Sequence, residues 1–331
     1  MERAAILVFL AVMVAGCASN NLPELPPAPM GEPAPPPAEA TARDIGPRTL
    51  KVGPTEMYLT PSDAAARAFD GDTVVIDAGH YHDCSVWKAS NLTIQANGDG
   101  DVVIDGAVCE GKGLLVIKGD NVSIRGITFR GAAAGDGNGA GIREEGDTLT
   151  VEDSTFLDNQ DGILAMTKRS GTVIIRHSRF EGNGACIGHD LGCSHGIYVG
   201  TALLRVENST FRGQHAGHHI KSKARRTELT GNTIEDGRDG TSSYLVDVPD
   251  GGSLIMRDNI LEKGPKSQNP CCAISIGAES ASNPTDEIVL ENNSFKNDFP
   301  GTVIFLRNLT GATPTLSGNT FSGRVVPVSG S

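Results

Sequence analysis

The 331-residue sequence predicts an all-β solenoid, a coil in which short parallel strands stack rung upon rung. Aromatic residues make up only 5% of the chain and glycine is abundant, with 41 residues. This composition is typical of many short strands joined by tight turns. A motif also recurs, with an aliphatic pair, a Ser or Asn, an apolar residue and a Gly or Asn turn, as in VSIRGITFRG, LRVENSTFRG and IVLENNSFKND.

The spacing of this motif identifies the repeat. Its apolar position falls at Phe129, Phe156, Phe180, Phe211, Ile234, Leu261, Phe295 and Phe321, at intervals of 23 to 34 residues. A period of that size marks a solenoid and leaves room for two or three short strands per unit. The polar position predicts an internal ladder of side chains that satisfy backbone groups at a turn. Its members are Ser154, Ser178, Ser209, Asn232, Asn259, Asn293 and Asn319.

Over nearly all of residues 49 to 331, this pattern resembles the right-handed parallel β-helix of the pectate-lyase-like superfamily. Pro61-Ser62-Asp63 begins a predicted short helix that runs to about Phe69. A helix there would cap the N-terminal end, where a bare solenoid exposes its core and strand edges. The resemblance implies a fold that hosts lyases, hydrolases, epimerases, adhesins and binding proteins, so it does not by itself imply an activity.

The first 17 residues are typical of an export signal, with Arg3, an apolar run from Ala4 to Val14, and the small-residue site VAGC. This site resembles the lipobox of bacterial lipoproteins, which would make Cys17 the lipidated first residue of the mature chain. In that family, the Ala that follows Cys17 favours sorting to the outer membrane. Which face of the outer membrane carries the protein is left open. The alternative is an ordinary secreted protein. We expect a lipid-anchored protein of the bacterial envelope.

Residues 18 to 47 are rich in Pro and Ala and predict an extended tether, and residues 48 to 331 predict one β-helix domain. We expect a monomer. The net charge of -12 and the pI near 5.1 disfavour nucleic acid as a partner.

Six cysteines besides Cys17 favour disulfides in an oxidising compartment. The predicted pairs are Cys84 with Cys109 and Cys186 with Cys193, while a bond between Cys271 and Cys272 is left open.

Residues 186 to 252 hold five of the eight histidines, two of the four tyrosines and the densest basic run. In an acidic chain this local reversal of charge indicates a site for an anionic ligand. A second series of core positions is predicted at Ile142, Ile163, Ile197, Ile220, Leu245, Ile274 and Ile304. The neighbours of these residues should then face outward on strands about 4.8 Å apart.

The predicted patch therefore combines His219, Lys221 and Lys223 with Tyr198 and Tyr244 on the adjacent rungs. Gly196 and Gly200 would leave a groove floor for a sugar ring. Three further residues complete the predicted binding surface for an acidic polysaccharide: Arg225, Arg226 and, on a neighbouring loop, His189. Asp247 joins it only if YLVDVP adopts the register that turns Asp247 outward.

Cleavage of a uronate polysaccharide by β-elimination requires charge neutralisation at C6, a base for the C5 proton and an acid for the C4 oxygen. We assign neutralisation to Arg225 and Lys223. The base is Lys221 or His219, with neighbouring cations expected to lower the pKa of Lys221. The acid is Tyr198 or Tyr244. The sequence thus favours an enzyme similar to polysaccharide lyases.

Several alternatives stay open. A non-catalytic polysaccharide-binding or structural lipoprotein would need the same surface, and a uronate C5 epimerase would need the same groups. An Asp-Pro-His signature, typical of alginate epimerases, is lacking, and no Asp-Asp pair supports a polygalacturonase-like hydrolase. His195 and His218 occupy equivalent places, either at a strand start or facing inward. We interpret them as a stacked structural pair rather than as catalytic residues.

Metal sites are less favoured in this sequence. Zinc on Cys186, His189, Cys193 and His195 is disfavoured against a disulfide. Calcium at the turns EDGRDG and VPDGG remains open, since tight turns require the same residues. No metal or other cofactor is predicted.

Overall fold

The structure, a computed structural model, describes residues 46–166, 169–187 and 192–330. These residues form a parallel β-helix, as predicted: every strand pairs in parallel with strands one rung before or after it. Three sheets run the length of the coil. The described part contains a single short helix and no helix with the length and apolarity needed to cross a membrane.

Sheet 1 has eleven strands in the described part of the chain. They are β1 (Thr49–Val52), β2 (Thr73–Ile76), β5 (Thr93–Ala96), β8 (Val122–Arg125), β11 (Thr148–Glu152), β14 (Thr172–Arg176), β17 (Leu203–Glu207), β20 (Arg226–Thr230), β23 (Ser253–Arg257), β26 (Ile288–Glu291) and β29 (Thr315–Ser317).

Sheet 2 has ten strands over the same residues. They are β4 (Ser85–Trp87), β7 (Gly113–Ile117), β10 (Ala140–Glu144), β13 (Asp161–Ala165), β16 (Ile197–Val199), β19 (His218–Ser222), β22 (Tyr244–Val248), β25 (Cys272–Ile276), β28 (Val303–Asn308) and β31 (Val325–Ser329).

Sheet 3 also has ten strands in the described ranges. They are β3 (Gly79–His82), β6 (Val102–Asp105), β9 (Ile127–Arg130), β12 (Thr155–Leu157), β15 (Arg179–Glu181), β18 (Thr210–Arg212), β21 (Thr233–Glu235), β24 (Ile260–Lys263), β27 (Ser294–Asn297) and β30 (Thr320–Ser322).

The apolar position of the repeat lies in sheet 3, where its members pair rung to rung as predicted. Phe156 stacks on Phe180 with ring centroids 4.5 Å apart, and Phe180 stacks on Phe211 at 4.6 Å. Offset stacking adds to the burial of these large side chains. The apolar positions from Phe129 to Phe295 are therefore part of the hydrophobic core, whereas Phe321 of β30 is exposed.

The polar position forms the predicted ladder between sheets 1 and 3. The backbone N–H of Ser154 donates to Ser178 Oγ at 3.2 Å, and that of Asn232 donates to Asn259 Oδ1 at 2.9 Å. The Asn259 amide also donates to Leu229 O and to Asn293 Oδ1. Each side chain thus satisfies buried backbone groups at a corner where the strand ladder is interrupted.

The predicted N-terminal cap is present as α1 (Pro61–Ala65), which contacts β1 and β4. Thr60 is its N-cap and forms a capping box with Asp63. The helix ends at Ala65, before the predicted Phe69: the Arg67 N–H donates to Ala64 O, three residues back, and the Phe69 N–H donates to the Asp72 carboxylate at 2.9 Å.

Both predicted disulfides are confirmed, Cys84 with Cys109 and Cys186 with Cys193. The pairing left open is also formed, between the adjacent Cys271 and Cys272. Because their sulfurs bond to each other, Cys186 and Cys193 are not zinc ligands. Among the described residues no group of three or more His, Cys, Asp or Glu side chains is placed to hold a metal ion.

Candidate functional site

Strand β19 of sheet 2 carries the centre of the candidate site. Ile220 lies in the core, and the next residue, Lys221, faces outward. In the strand register Lys221 lies between Tyr198 of β16 and Asp247 of β22. These three side chains form one row on the outer face of sheet 2, as predicted for Lys221 and Tyr198.

Sheet 2 departs from strict alternation at the start of its strands, where two consecutive residues face the core. Leu245 and Val246 are both fully buried in β22, so the residues on either side, Tyr244 and Asp247, face outward together. Val246, not Leu245, therefore continues the predicted core series after Ile220. The same correction applies at Ile304, whose predicted place is taken by Leu306.

The predicted outward position of His219 is wrong for the same reason. His219 and Ile220 are two consecutive inward residues of β19, and His219 is 1% exposed. Its Nε2 lies 3.0 Å from the buried carboxylate of Asp236. The preceding residue, His218, lies on the face of Lys221 instead.

His218 belongs to an aromatic stack with His195 and Tyr244, at centroid distances of 4.9 and 5.1 Å. The backbone N–H of His218 donates to His195 Nδ1, and that of Tyr244 donates to His218 Nδ1. An Nδ1 that accepts a hydrogen bond holds no proton, so both rings are neutral with the proton on Nε2. Burial lowers the pKa of His218 to about 3 and also lowers that of His195. The predicted stacked pair at the strand start is confirmed.

Asp247 is the second feature of the row. It is 3% exposed, and its Oδ2 lies 3.4 Å from His218 Nε2 and 3.9 Å from Lys221 Nζ. Burial raises the pKa of Asp247 to about 7, although the positive charge of Lys221 opposes this shift. Among the described residues, Asp247 Oδ1 has no hydrogen-bond partner, and neither has Oγ of Ser275, its register neighbour in β25. Buried polar atoms are rarely left unpaired, so this pair marks a candidate functional position.

The two lysines share one carboxylate. Lys221 Nζ donates to Glu279 Oε1 at 2.8 Å, and Lys223 Nζ donates to Glu279 Oε2 at 2.5 Å. Glu279 lies in the segment between β25 and β26, and sequence reasoning missed it. The expected neighbouring cation is present as Lys223, but the ion-pair partners of Lys221 are the carboxylates of Glu279 and Asp247.

The two remaining predicted basic residues, Arg225 and Arg226, lie on different surfaces of the coil. Arg225 is exposed and lies with Lys223 beside a cleft of about 270 Å³ that Arg169 and Asn283 also line. Arg226 is not part of this surface: it begins β20 of sheet 1 and forms ion pairs with two glutamates. Its predicted placement is wrong because the chain turns the corner between sheets at this point.

Two predicted residues, Cys17 and His189, lie outside the described part of the chain. The predicted groove floor is wrong at both glycines. A Cβ on Gly196 would lie 2.5 Å from the His219 carbonyl oxygen, so this glycine permits close packing of rungs. A Cβ on Gly200 would lie 2.8 Å from Met166 Sδ, so the Met166 side chain already covers that place.

The sequence model of the family described as right handed beta helix region matches residues 73–199 and 189–328. The chain belongs to this family. The predicted right-handed parallel β-helix is thus confirmed. No curated protein matches the sequence.

Solved structures that resemble the chain include two pectin methylesterases. PemA from Erwinia chrysanthemi is 10% identical, with 83% of this chain and 92% of that one covered and a TM-score of 0.39. The Aspergillus niger enzyme is 13% identical, with 85% and 90% covered and a TM-score of 0.40. The PL6 family alginate lyase AlyGC is 20% identical, with 83% and 40% covered and a TM-score of 0.38. These similarities do not indicate what this chain does, since one fold hosts many activities.

Proposed function

We propose that this chain binds an acidic polysaccharide across the outer face of sheet 2 and cleaves it by β-elimination at a uronate residue. The observation that carries the proposal is the row of Tyr198, Lys221 and Asp247, in which a buried carboxyl with a pKa of about 7 lies beside a lysine. Perturbed titratable groups of this kind concentrate at functional sites.

Charge neutralisation falls to Lys221 and Lys223. Their ammonium groups already hold one carboxylate, that of Glu279, through two charge-assisted hydrogen bonds. A uronate carboxylate at C6 offers the same two oxygens and the same charge. Pairing this group with two cations stabilises the negative charge that develops when the C5 proton leaves.

The base in this proposal is Asp247. His219 cannot reach a ligand because it is buried against Asp236, and the Lys221 ammonium is engaged by carboxylates. A base works best when its pKa lies near the working pH, which the pKa of about 7 for Asp247 satisfies. His218 supports this role by directing its Nε2 toward Asp247 Oδ2.

The acid for the C4 oxygen is a tyrosine of the same face. The Tyr198 ring centroid lies 5.4 Å from Lys221 Nζ, and Tyr198 also contacts His195 edge to face. Tyr244 stacks on His218. Both phenols border the row, so each is a candidate for donating the proton to the leaving sugar.

The exposed Arg225 and its cleft extend the surface for a second anionic group of the same polymer. In the full proposal, Cys17 carries a lipid anchor at the bacterial envelope, the 18–47 tether spaces the coil from the membrane, and the protein acts as a monomer. No metal has a step in this mechanism.

A non-catalytic polysaccharide-binding protein is the second candidate. It is favoured by the burial of Asp247 Oδ1, which has no accessible surface in this state. A uronate C5 epimerase is a third, since re-protonation at C5 would use the same groups.

The test is an absorbance scan at 235 nm of the purified chain with alginate, pectate, glucuronan and glycosaminoglycans. Rising absorbance reports the unsaturated uronate ends that elimination produces. Flat traces with exchange of the C5 proton into heavy water would replace elimination with epimerisation. Flat traces without exchange, but with measurable binding, would replace it with the binding role.

A further inference from the structure

The segment that carries Glu279 is held in place without the Glu279 side chain. The Glu279 backbone N–H donates to Pro249 O, and that of Asn283 donates to Asp250 O, both at 2.9 Å. Ser280 Oγ donates to Asp250 Oδ1 at 2.8 Å. The path of this segment along the turn after β22 therefore survives a change of the Glu279 side chain.

The glutamate is the outermost member of its cluster. The Glu279 side chain is 45% exposed, whereas those of Lys221 and Lys223 are 14% and 18% exposed. Burial opposes ionisation of Glu279, but the hydrogen bonds from the two lysines outweigh it and hold its pKa below the ordinary value. A charged carboxylate thus lies over two recessed ammonium groups, on the side from which a ligand would arrive.

We propose that Glu279 is an intramolecular competitor of the ligand. Its carboxylate occupies the subsite in which Lys221 and Lys223 bind a uronate carboxylate, and the polysaccharide displaces the Glu279 carboxylate when it binds. This inference rests on the proposed function and adds a competing group to it. Glu279 then weakens the apparent affinity of the site for its ligand. The ligand carboxylate must first displace the two charge-assisted hydrogen bonds of Glu279 before it can form its own hydrogen bonds to the lysines.

The chain contains a matched control for this contact. Glu110 also bridges two lysines, with Oε2 at 3.2 Å from Lys112 Nζ and Oε1 at 2.6 Å from Lys118 Nζ. Both of these lysine side chains are 34% exposed. Glu110→Gln removes the same charge from the same kind of bridge, away from the candidate site.

The experiment measures Kd by calorimetry at one low ionic strength for wild type, Glu279→Gln and Glu110→Gln. The probes are hexamers of polygalacturonate and of alginate, together with the same hexamers after reduction of their carboxyl groups. We expect Glu279→Gln to tighten binding of the carboxylated hexamers about three- to tenfold, in line with the loss of competing ion pairs. Glu110→Gln should change Kd less than about twofold, and no variant should gain affinity for the reduced hexamers.

The outcomes separate the two proposals. Equal tightening by both variants would show a general effect of net charge, and weaker binding by Glu279→Gln would show that Glu279 itself contacts the ligand. Either result overturns the inference and leaves the proposed function standing. If wild type and Glu279→Gln both fail to bind every carboxylated hexamer, the proposed function fails and the inference fails with it. Glu279→Ser, checked by thermal unfolding, repeats the test with a smaller side chain.

Discussion

Two clusters along sheet 2 have the same charge pattern and different surroundings. Glu110 bridges Lys112 and Lys118 near the N-terminal end, and Glu279 bridges Lys221 and Lys223 further along the coil. The lysines of the first cluster are about twice as exposed as those of the second. Exposed ion pairs of the first kind contribute about 0–1 kcal/mol and are common on protein surfaces.

The second cluster differs in what lies beside it. Lys221 neighbours Asp247, a buried carboxyl with one unpaired oxygen among the described residues, and Tyr198 borders the same row. Double pairing does not separate the clusters, since Lys112 pairs also with Glu145 at 2.7 Å and Lys223 pairs also with Asp250 at 3.5 Å. The comparison indicates that burial and an unmatched carboxyl, rather than paired charges, distinguish a site from a surface.

The largest expected effect is on stability, from Asp247→Asn. The folded pKa of about 7 lies above the ordinary 3.8, so the folded chain holds this proton more tightly than the unfolded chain does. Wild type therefore loses stability as pH rises from about 4 to 7, and the penalty persists above 7. We expect Asp247→Asn to exceed wild type by up to about 4 kcal/mol at pH 8, at about 1.4 kcal/mol per pKa unit.

Urea unfolding of both proteins at pH 4 and pH 8 measures this difference. The gain should shrink to a small fraction at pH 4, where Asp247 is protonated in the folded chain and about half protonated in the unfolded chain. A gain of the same size at both pH values would contradict the raised pKa of Asp247.

A smaller effect is expected on turnover, from Lys221→Ala. Loss of one cation that neutralises the developing charge should reduce turnover, followed at 235 nm, by about 100-fold or more. Lys112→Ala is the matched variant in the first cluster and should leave turnover within about twofold. Equal losses in the two variants would remove the distinction between the clusters, and an unchanged rate in Lys221→Ala would remove its assigned role.

A still smaller effect is expected on binding, from Lys223→Ala. One charge-assisted contact to a carboxylate should weaken binding of the polygalacturonate hexamer about tenfold. Arg226→Ala removes the same charge only three residues away in the chain, but Arg226 is paired with glutamates on sheet 1. Its Kd should stay within about twofold of wild type. A loss in Arg226→Ala as large as in Lys223→Ala would mean that net charge alone attracts the polymer.

The fold was predictable because its determinants repeat. Equivalent residues recur at the same place in successive units, such as Phe156 and Phe180 or Asn232 and Asn259. Each unit therefore supports the same prediction independently. The even number of cysteines after Cys17, together with the predicted export signal, led to the expectation of disulfides. The row of Tyr198 and Lys221 followed from the register of adjacent strands.

The errors within the site have physical causes. Strict alternation predicts an outward His219, but alternation fails in β19 because the consecutive residues His219 and Ile220 both face inward. Arg226 lies past the corner where the chain enters sheet 1. Glu279 is 58 residues from Lys221, and contacts across that separation leave no local pattern. One signal was present: the longest interval of the repeat, 34 residues from Leu261 to Phe295, contains Glu279.

The most direct test of the account compares two double variants in binding of the carboxylated hexamers. Lys221→Ala with Lys223→Ala removes the cations of the candidate site, and Lys112→Ala with Lys118→Ala removes the same charge from the exposed cluster. The account predicts a loss of affinity of about 30-fold or more for the first and less than about twofold for the second. Equal losses in the two double variants, or no loss in the first, would contradict it.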